Sequence, residues 1–174
     1  MDNFFKPLIF ISSGEEKKVS RELKIKALES VLDKPFELYT EQNGKPRVTY
    51  EKSVGISVTH DSGYVAVIVV PFEPIGIDME KIKEEYPIRV KDRFFTKNER
   101  ALLNSSEDFY KIWCKKESYV KMTGDGIGSI SEFDSTKANI IFTDLSEKIS
   151  VITGKKYSFF ICSKMPVDPE IIII

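Results

Sequence analysis

Six consecutive apolar residues, Val65–Val70, run directly into Pro71-Phe72-Glu73-Pro74. Proline lacks a backbone donor and restricts the residue before it, so two prolines in four positions stop any regular element. The chain is therefore expected to have two parts, residues 1–73 and 74–174. Upstream, Lys6–Ser12 reads as a strand. From Glu15 to Leu32 the apolar residues Val19, Leu23, Ala27, Leu28 and Val31 recur at three and four residues, the period of an amphipathic helix. Phe36–Gln42 reads as a strand and Asn43-Gly44 as a turn. Val54–Thr59 and Tyr64–Val70 form a hairpin-like pair around His60-Asp61-Ser62-Gly63. Downstream, Ile75–Glu80 is a strand and Pro87–Phe95 a short helix. Thr96-Lys97-Asn98-Glu99 is a capping box, and Ser105 caps a helix that stops at Gly124. Strands are expected near Asn139–Phe142, Lys148–Thr153 and Tyr157–Ser163. The fold class is α+β, with strands on both sides of residue 73. Ile171–Ile174 is left as either a final strand or a partly disordered tail.

Scarcity excludes much chemistry. The 174 residues hold one histidine, one tryptophan and two widely spaced cysteines, which rules out a zinc cage, a haem attachment motif or a redox pair. With 26 basic and 27 acidic side chains there is no broad basic footprint, so no nucleic-acid partner is expected. No apolar run approaches the ~20 residues that span a bilayer, and the N-terminus lacks the pattern of a signal peptide. The expected setting is the cytoplasm, with Cys114 and Cys162 as reduced thiols and no membrane partner.

Alternation along Ile75-Gly76-Ile77-Asp78-Met79-Glu80 sends Ile75, Ile77 and Met79 to one face and Asp78 and Glu80 to the other. Two carboxylates so spaced can converge on a hard cation such as magnesium, with Gly76 opening space beside them. The competing reading is an exposed strand end paired with Lys81 and Lys83. Trp113, Glu117 and Lys121 share one helix stripe, which taken alone describes an anchored helix with a surface ion pair. A lone histidine such as His60 is more often structural than catalytic, and Gly44-Lys45-Pro46 alone is a solvated turn.

Taken in order, Gly44-Lys45-Pro46, Thr59-His60, Gly76-Ile77-Asp78-Met79-Glu80, Arg93-Phe94-Phe95-Thr96-Lys97-Asn98-Glu99 and Trp113-Cys114-Lys115-Lys116-Glu117-Ser118-Tyr119-Val120-Lys121 resemble the 4′-phosphopantetheinyl transferase superfamily. The specific blocks are G-I-D-x-E and W-x-x-K-E-S-x-x-K. The mid-chain position of the first is similar to the larger, Sfp-like class, here with a shortened N-terminal half. The resemblance implies a pseudo-dimer of two similar α+β halves with the active site in the cleft between them. Residues 1–73 would be the coenzyme A side, and residues 74–174 would carry the metal-binding and catalytic motifs.

The implied enzyme is a holo-acyl-carrier-protein synthase. It moves 4′-phosphopantetheine from coenzyme A to a serine hydroxyl of an apo acyl or peptidyl carrier protein, with magnesium as cofactor, and releases adenosine 3′,5′-bisphosphate. Such carriers serve fatty acid, polyketide and nonribosomal peptide biosynthesis, and a monomer is expected. Carried over by position, Asp78, Glu80 and Glu117 would hold magnesium, with Glu117 also the candidate proton acceptor. Lys116 and Lys121 would contact phosphate oxygens. Gly44, Lys45 and Pro46 would lie near the adenine end, and Thr59 and His60 at the nucleotide phosphates. Arg21 would reach the coenzyme from the first helix. Glu99 is either near the reacting hydroxyl or simply the partner of Thr96 in its capping box. Thr59-His60-Asp61 stands where the family carries Ser-His-Ser. Asp61 beside a phosphate would be repulsive unless it points away, and a one-residue slip would let Ser62 take that role. Asp61 and the short first half leave a second reading open, a non-catalytic homologue that binds coenzyme A or a carrier protein.

Overall fold

The computed structural model describes residues 6–49, 53–71, 74–137 and 139–174. Strand β1 (Leu8–Ser13) leads into helix α1 (Glu16–Glu29), followed by the short strands β2 (Leu38–Thr40) and β3 (Pro46–Val48). The hairpin β4 (Gly55–Asp61) and β5 (Tyr64–Val70) comes next. Its turn is Ser62-Gly63, with φ of 49° and 87°, the left-handed pair that matches strand twist in a two-residue hairpin. After β6 (Gly76–Lys81) come α2 (Ile88–Phe94), α3 (Lys97–Ala101) and the long α4 (Ser106–Thr123). A 3₁₀ turn at Ile127–Ser129 precedes β7 (Ile141–Asp144), α5 (Ser146–Thr153), β8 (Tyr157–Ser163) and β9 (Glu170–Ile173).

One sheet has the order β4-β5-β1-β9, antiparallel except for the parallel β1–β9 pair; another has the antiparallel order β6-β8-β7. Strand β5 is buried on both faces, which is why it reads as unbroken apolar sequence. Val65, Val67 and Val69 meet Leu23, Ala27 and Leu28 of α1. Ala66, Ile68 and Val70 meet Ile75 just before β6, Ile77 and Met79 within it, Phe159 and Ile161 of β8 and Ile149 of α5. Helix α4 covers the other face of the second sheet. A separate aromatic cluster, with Phe95 and Phe109 stacked at 5.0 Å and Trp113 beside them, anchors its first half.

The strand expected at Lys148–Thr153 is helix α5. Its β-branched composition points to a strand, but the period that matters is four: Leu145, Ile149 and Thr153 are buried while Val151 is 78% exposed. Asp144 Oδ1 accepts from the Ser146 N–H at 2.9 Å, and Gly154 ends the helix at φ 65°. Strand β2 is shorter than the Phe36–Gln42 expected from sequence, and the turn at Asn43-Gly44 leads into a second short strand, β3. The Ile-rich tail is an ordered strand, β9, so the chain returns to its first sheet at its end. Residues Phe72 and Glu73 of the expected boundary lie outside the described residues, as do Met1–Phe5.

Candidate active site

Strands β4 and β6 lie side by side with no main-chain ladder between them. Instead the β4 side chains Ser57, Thr59 and Asp61, two residues apart and so on one face, meet every second N–H of β6. Ser57 Oγ accepts from Ile77 at 3.1 Å, Thr59 Oγ1 from Met79 at 3.0 Å and Asp61 Oδ2 from Lys81 at 2.6 Å. The opposite edge of β6 pairs with β8 in the ordinary way. This seam carries Asp78 at its centre. Thr59 Oγ1 also donates to Asp78 Oδ1 at 3.1 Å, and Lys121 Nζ reaches the same oxygen at 2.7 Å.

Asp78 is only 4% exposed, and its second oxygen, Oδ2, is buried with no hydrogen-bond partner. Burial, then the charges of Asp78 and Asp61, push the Glu80 carboxyl up to about 7. Burial and Asp78 likewise raise Glu117. Burial works against the Lys121 charge, but Asp78 and Glu117 outweigh it and hold its ammonium above the usual lysine range. Lys121 is therefore paired with Asp78 across the elements, not with Glu117 on its own helix surface.

Among the described residues no three acidic, histidine or cysteine side chains close into a ready-made cation cage. The donor set nevertheless fits magnesium. It offers hard oxygen ligands, one buried oxygen without a partner, and two further carboxylates raised by burial and by the Asp78 charge. Magnesium commonly takes one or two carboxylates and completes its shell with water and substrate phosphate.

The sequence suggests that Gly76 opens space for a ligand, but the structure fills that space with the backbone of α4. A Cβ there would lie 1.9 Å from Ser118 O and 2.5 Å from Met122 N, so its missing side chain lets the α4 backbone press onto β6. That close approach brings Lys121 to Asp78. The far end of α4 is held from the first half of the chain. Lys45 Nζ donates to the Met122 carbonyl and Asn43 Nδ2 to the Gly124 carbonyl at 2.7 Å, where a cation and donors complement the helix C-terminus. The Lys45 ammonium expected near the adenine end is thus engaged as a helix cap. Between this turn and α4 is a cavity of about 260 Å³ lined by Gly44, Pro46, Ser57, Glu117, Lys121 and Ile127.

Several side chains of the expected site are engaged within the fold. Lys116, one residue before Glu117, points to another side of α4 and is fully buried. Its Nζ donates to Glu99 Oε2 at 2.9 Å, to Oε1 at 3.1 Å and to the Phe133 carbonyl, so no donor is left for a phosphate. Glu99 is equally saturated: Oε2 also accepts from the Thr96 N–H at 2.8 Å and Oε1 from the Ser135 N–H at 2.8 Å. The Thr96 capping box is present, with Glu99 as its acidic partner. Thr59, 2% exposed, has its hydroxyl proton on Asp78 and faces no open phosphate site.

His60 is exposed and lies 3.1 Å from Glu16, in a groove of about 360 Å³ with Lys17, Lys24, Gly44 and Pro46. Arg21 is on the next stripe of α1 and lines a different depression with Ile25 and Phe36. That depression, about 680 Å³, is larger than the cavity but carries none of the clustered carboxylates. Asp61 points away from the His60 groove, toward β6. Sequence reasoning missed Ser158, opposite Glu80 on β8, whose buried hydroxyl also lacks a partner. A serine within the apolar run of β8 was the available signal.

The model of the 4′-phosphopantetheinyl transferase superfamily matches residues 74–166. The chain is 30% identical over 146 residues to the 4′-phosphopantetheinyl transferase psf-1 of Bacillus pumilus, covering 75% of this chain and 62% of that protein. It is 34% identical over 94 residues to the 4′-phosphopantetheinyl transferase Sfp of Bacillus subtilis, covering 51% and 41%. To AcpT of Escherichia coli it is 28% identical over 109 residues, covering 59% and 55%. The chain spans less than two thirds of the length of these relatives. The matched region carries Asp78, Glu80, Glu117 and Lys121, and by that match the chain belongs to the 4′-phosphopantetheinyl transferase superfamily, on its Sfp-like side.

Proposed function

We propose that this protein transfers 4′-phosphopantetheine from coenzyme A to a serine of an apo carrier protein. The observation that carries the proposal is the unpartnered Asp78 Oδ2, buried beside Lys121, which with Glu117 lines a cavity whose other wall is the Gly44–Pro46 turn. An internal carboxylate left incompletely satisfied is a site waiting for a ligand. Asp78, Glu80 and Glu117 hold magnesium, which when bound neutralises charge on the transferred and leaving phosphates.

The serine oxygen forms a bond to the pantetheine-side phosphorus. The bond from that phosphorus to the bridging oxygen breaks, and adenosine 3′,5′-bisphosphate leaves with the electron pair. Glu117 accepts the serine proton, directly or through a water. Lys121, on the same stripe one turn later, stabilises the charge on the phosphate oxygens. His60, Lys17 and Lys24 hold the nucleotide phosphates in the adjoining groove, which shares Gly44 and Pro46 with the cavity. Arg21 is assigned no part. The division at residues 73 and 74 is read as two related halves, each a strand followed by a helix and further strands, with the cavity at their junction. No helix among the described residues is long and apolar enough to cross a membrane. A monomer working in the cytoplasm is the reading adopted.

The test is to incubate the protein with coenzyme A, magnesium and a panel of apo carriers from fatty acid, polyketide and peptide assembly. The expected result is a phosphopantetheine mass gain on a carrier serine. No gain on any carrier refutes the proposal.

A further inference from the structure

The seam between β4 and β6 assigns a role to Asp61 that rests on the function proposed above. We infer that Asp61 is a positioning residue: its carboxylate stands in for a strand neighbour at the Lys81 N–H and fixes the end of β6 from which Asp78 and Glu80 project. Its three rungs are evenly spaced, at Ile77, Met79 and Lys81, and each acceptor is a side chain of β4. The free edge of a strand otherwise presents its N–H groups to solvent or to another chain. Here the shortest bond, 2.6 Å, is the one made by a charged acceptor, as expected for a carboxylate on an N–H.

Asp61 is tied down on its other sides as well. Its Oδ1 accepts from the Ser62 hydroxyl at 3.2 Å, and its carbonyl accepts from Tyr157 Oη, at the start of β8, at 3.3 Å. It therefore joins β4, β6 and β8 at the point where Glu80 leaves the sheet. The middle rung, Thr59, shares its hydroxyl with Asp78 itself, so a shift of β6 along the seam moves the carboxylates directly. A hydroxyl satisfies the first two rungs. The third needs an acceptor, and its position at the strand end admits a carboxylate turned away from the His60 groove.

The experiment compares Asp61→Ala, which removes the acceptor, with Asp61→Ser and Asp61→Asn, which keep one. Three quantities are read on the full chain: exchange of the Lys81 amide, magnesium affinity without acceptor protein, and the KM for coenzyme A. In Asp61→Ala the Lys81 amide exchanges about tenfold faster. Magnesium affinity falls about tenfold, as for loss of a group that orients metal ligands, and the KM for coenzyme A is unchanged. Asp61→Ser and Asp61→Asn stay within about twofold of the parent in all three, because the hydrogen bond survives.

An unchanged Lys81 amide in Asp61→Ala overturns the proposal. So does a raised KM for coenzyme A with unaltered magnesium affinity, which would make Asp61 a coenzyme contact. Should Asp61→Ala fail to fold, the two conservative variants decide, since loss of magnesium affinity in either overturns the proposal. Parent protein that binds no magnesium and modifies no carrier overturns the functional reading instead, while the Lys81 amide still reports whether the seam forms.

Discussion

Helix α4 carries two lysines five residues apart, each paired with an acidic partner from another element, and the pairs are built differently. Lys116 and Glu99 are both 0% exposed, and every donor and acceptor they own is engaged. Lys121 and Asp78 make one short contact, leave Lys121 30% exposed, and leave Asp78 Oδ2 with nothing. A closed network of buried charges rigidifies the fold around it, whereas an open one pays a standing penalty that a water or a ligand relieves. The comparison separates two motif residues that the sequence presents alike. Lys116 bolts the Phe133–Ser135 segment to α3 and α4, and Lys121 faces the cavity.

The sharpest way to break this contrast is to remove the open pair. Asp78→Asn should lower transfer by about 10³-fold, the scale for losing a charge aimed at a developing charge. Folding stability should move by less than about 1 kcal/mol, because the partly exposed Lys121 can turn to water. Rate assays and urea denaturation on the same preparation check both arms. A large stability loss would mean that Asp78 belongs with the structural pair.

The closed pair should behave in reverse. Glu99→Gln leaves the Lys116 charge buried without a counter-ion and should cost about 3 kcal/mol or more of stability. Replacing both partners, Glu99→Leu with Lys116→Met, should recover much of that loss, since neither residue then strands a charge. Urea midpoints for the single and double variants measure it. Transfer per folded molecule should survive in the double variant, and its loss would return Lys116 to the chemistry.

A surface cluster of three charges sets the lower bound. Glu107 contacts Lys111 at 2.8 Å and Lys156 at 2.6 Å on the surface, and hydrogen bonds to both pull its carboxyl to about 2. A depressed carboxyl stabilises the fold above its unfolded value near 4.5 and loses that contribution as pH falls toward about 2. Glu107→Gln should therefore cost about 0.5 kcal/mol or less at pH 7, given solvent screening. The difference from the parent should shrink as pH drops through 4, which thermal melts across that range would register.

Local signals in the sequence were reliable where one element contained the whole device. The Thr96–Glu99 capping box, the Ser105 start and Gly124 stop of α4, and the alternation of Ile77 and Met79 against Asp78 each lie within a few residues. They failed where a partner lay far along the chain. Helix α5 has strand-like composition, and only the packing of Ile149 and Thr153 decides for a helix. Arg21 and Lys24 are both basic residues on α1, and only the position of His60 shows which stripe faces the groove. The apolar tail became a strand because β1 had a free edge beside it.

The residue order alone determined the α+β class, the family motifs and the set of side chains able to hold a cation or meet phosphate. Those properties follow from local periodicity and from chemistry carried by each residue type. Tertiary structure alone decided which members of that set are available. A lysine and a carboxylate become a bolt or a site according to whether their remaining donors and acceptors find partners, and those partners come from strands and loops distant in sequence. Asp78 Oδ2 stays unpartnered because β6 is held from the side by Ser57, Thr59 and Asp61, an arrangement no single segment of the chain contains.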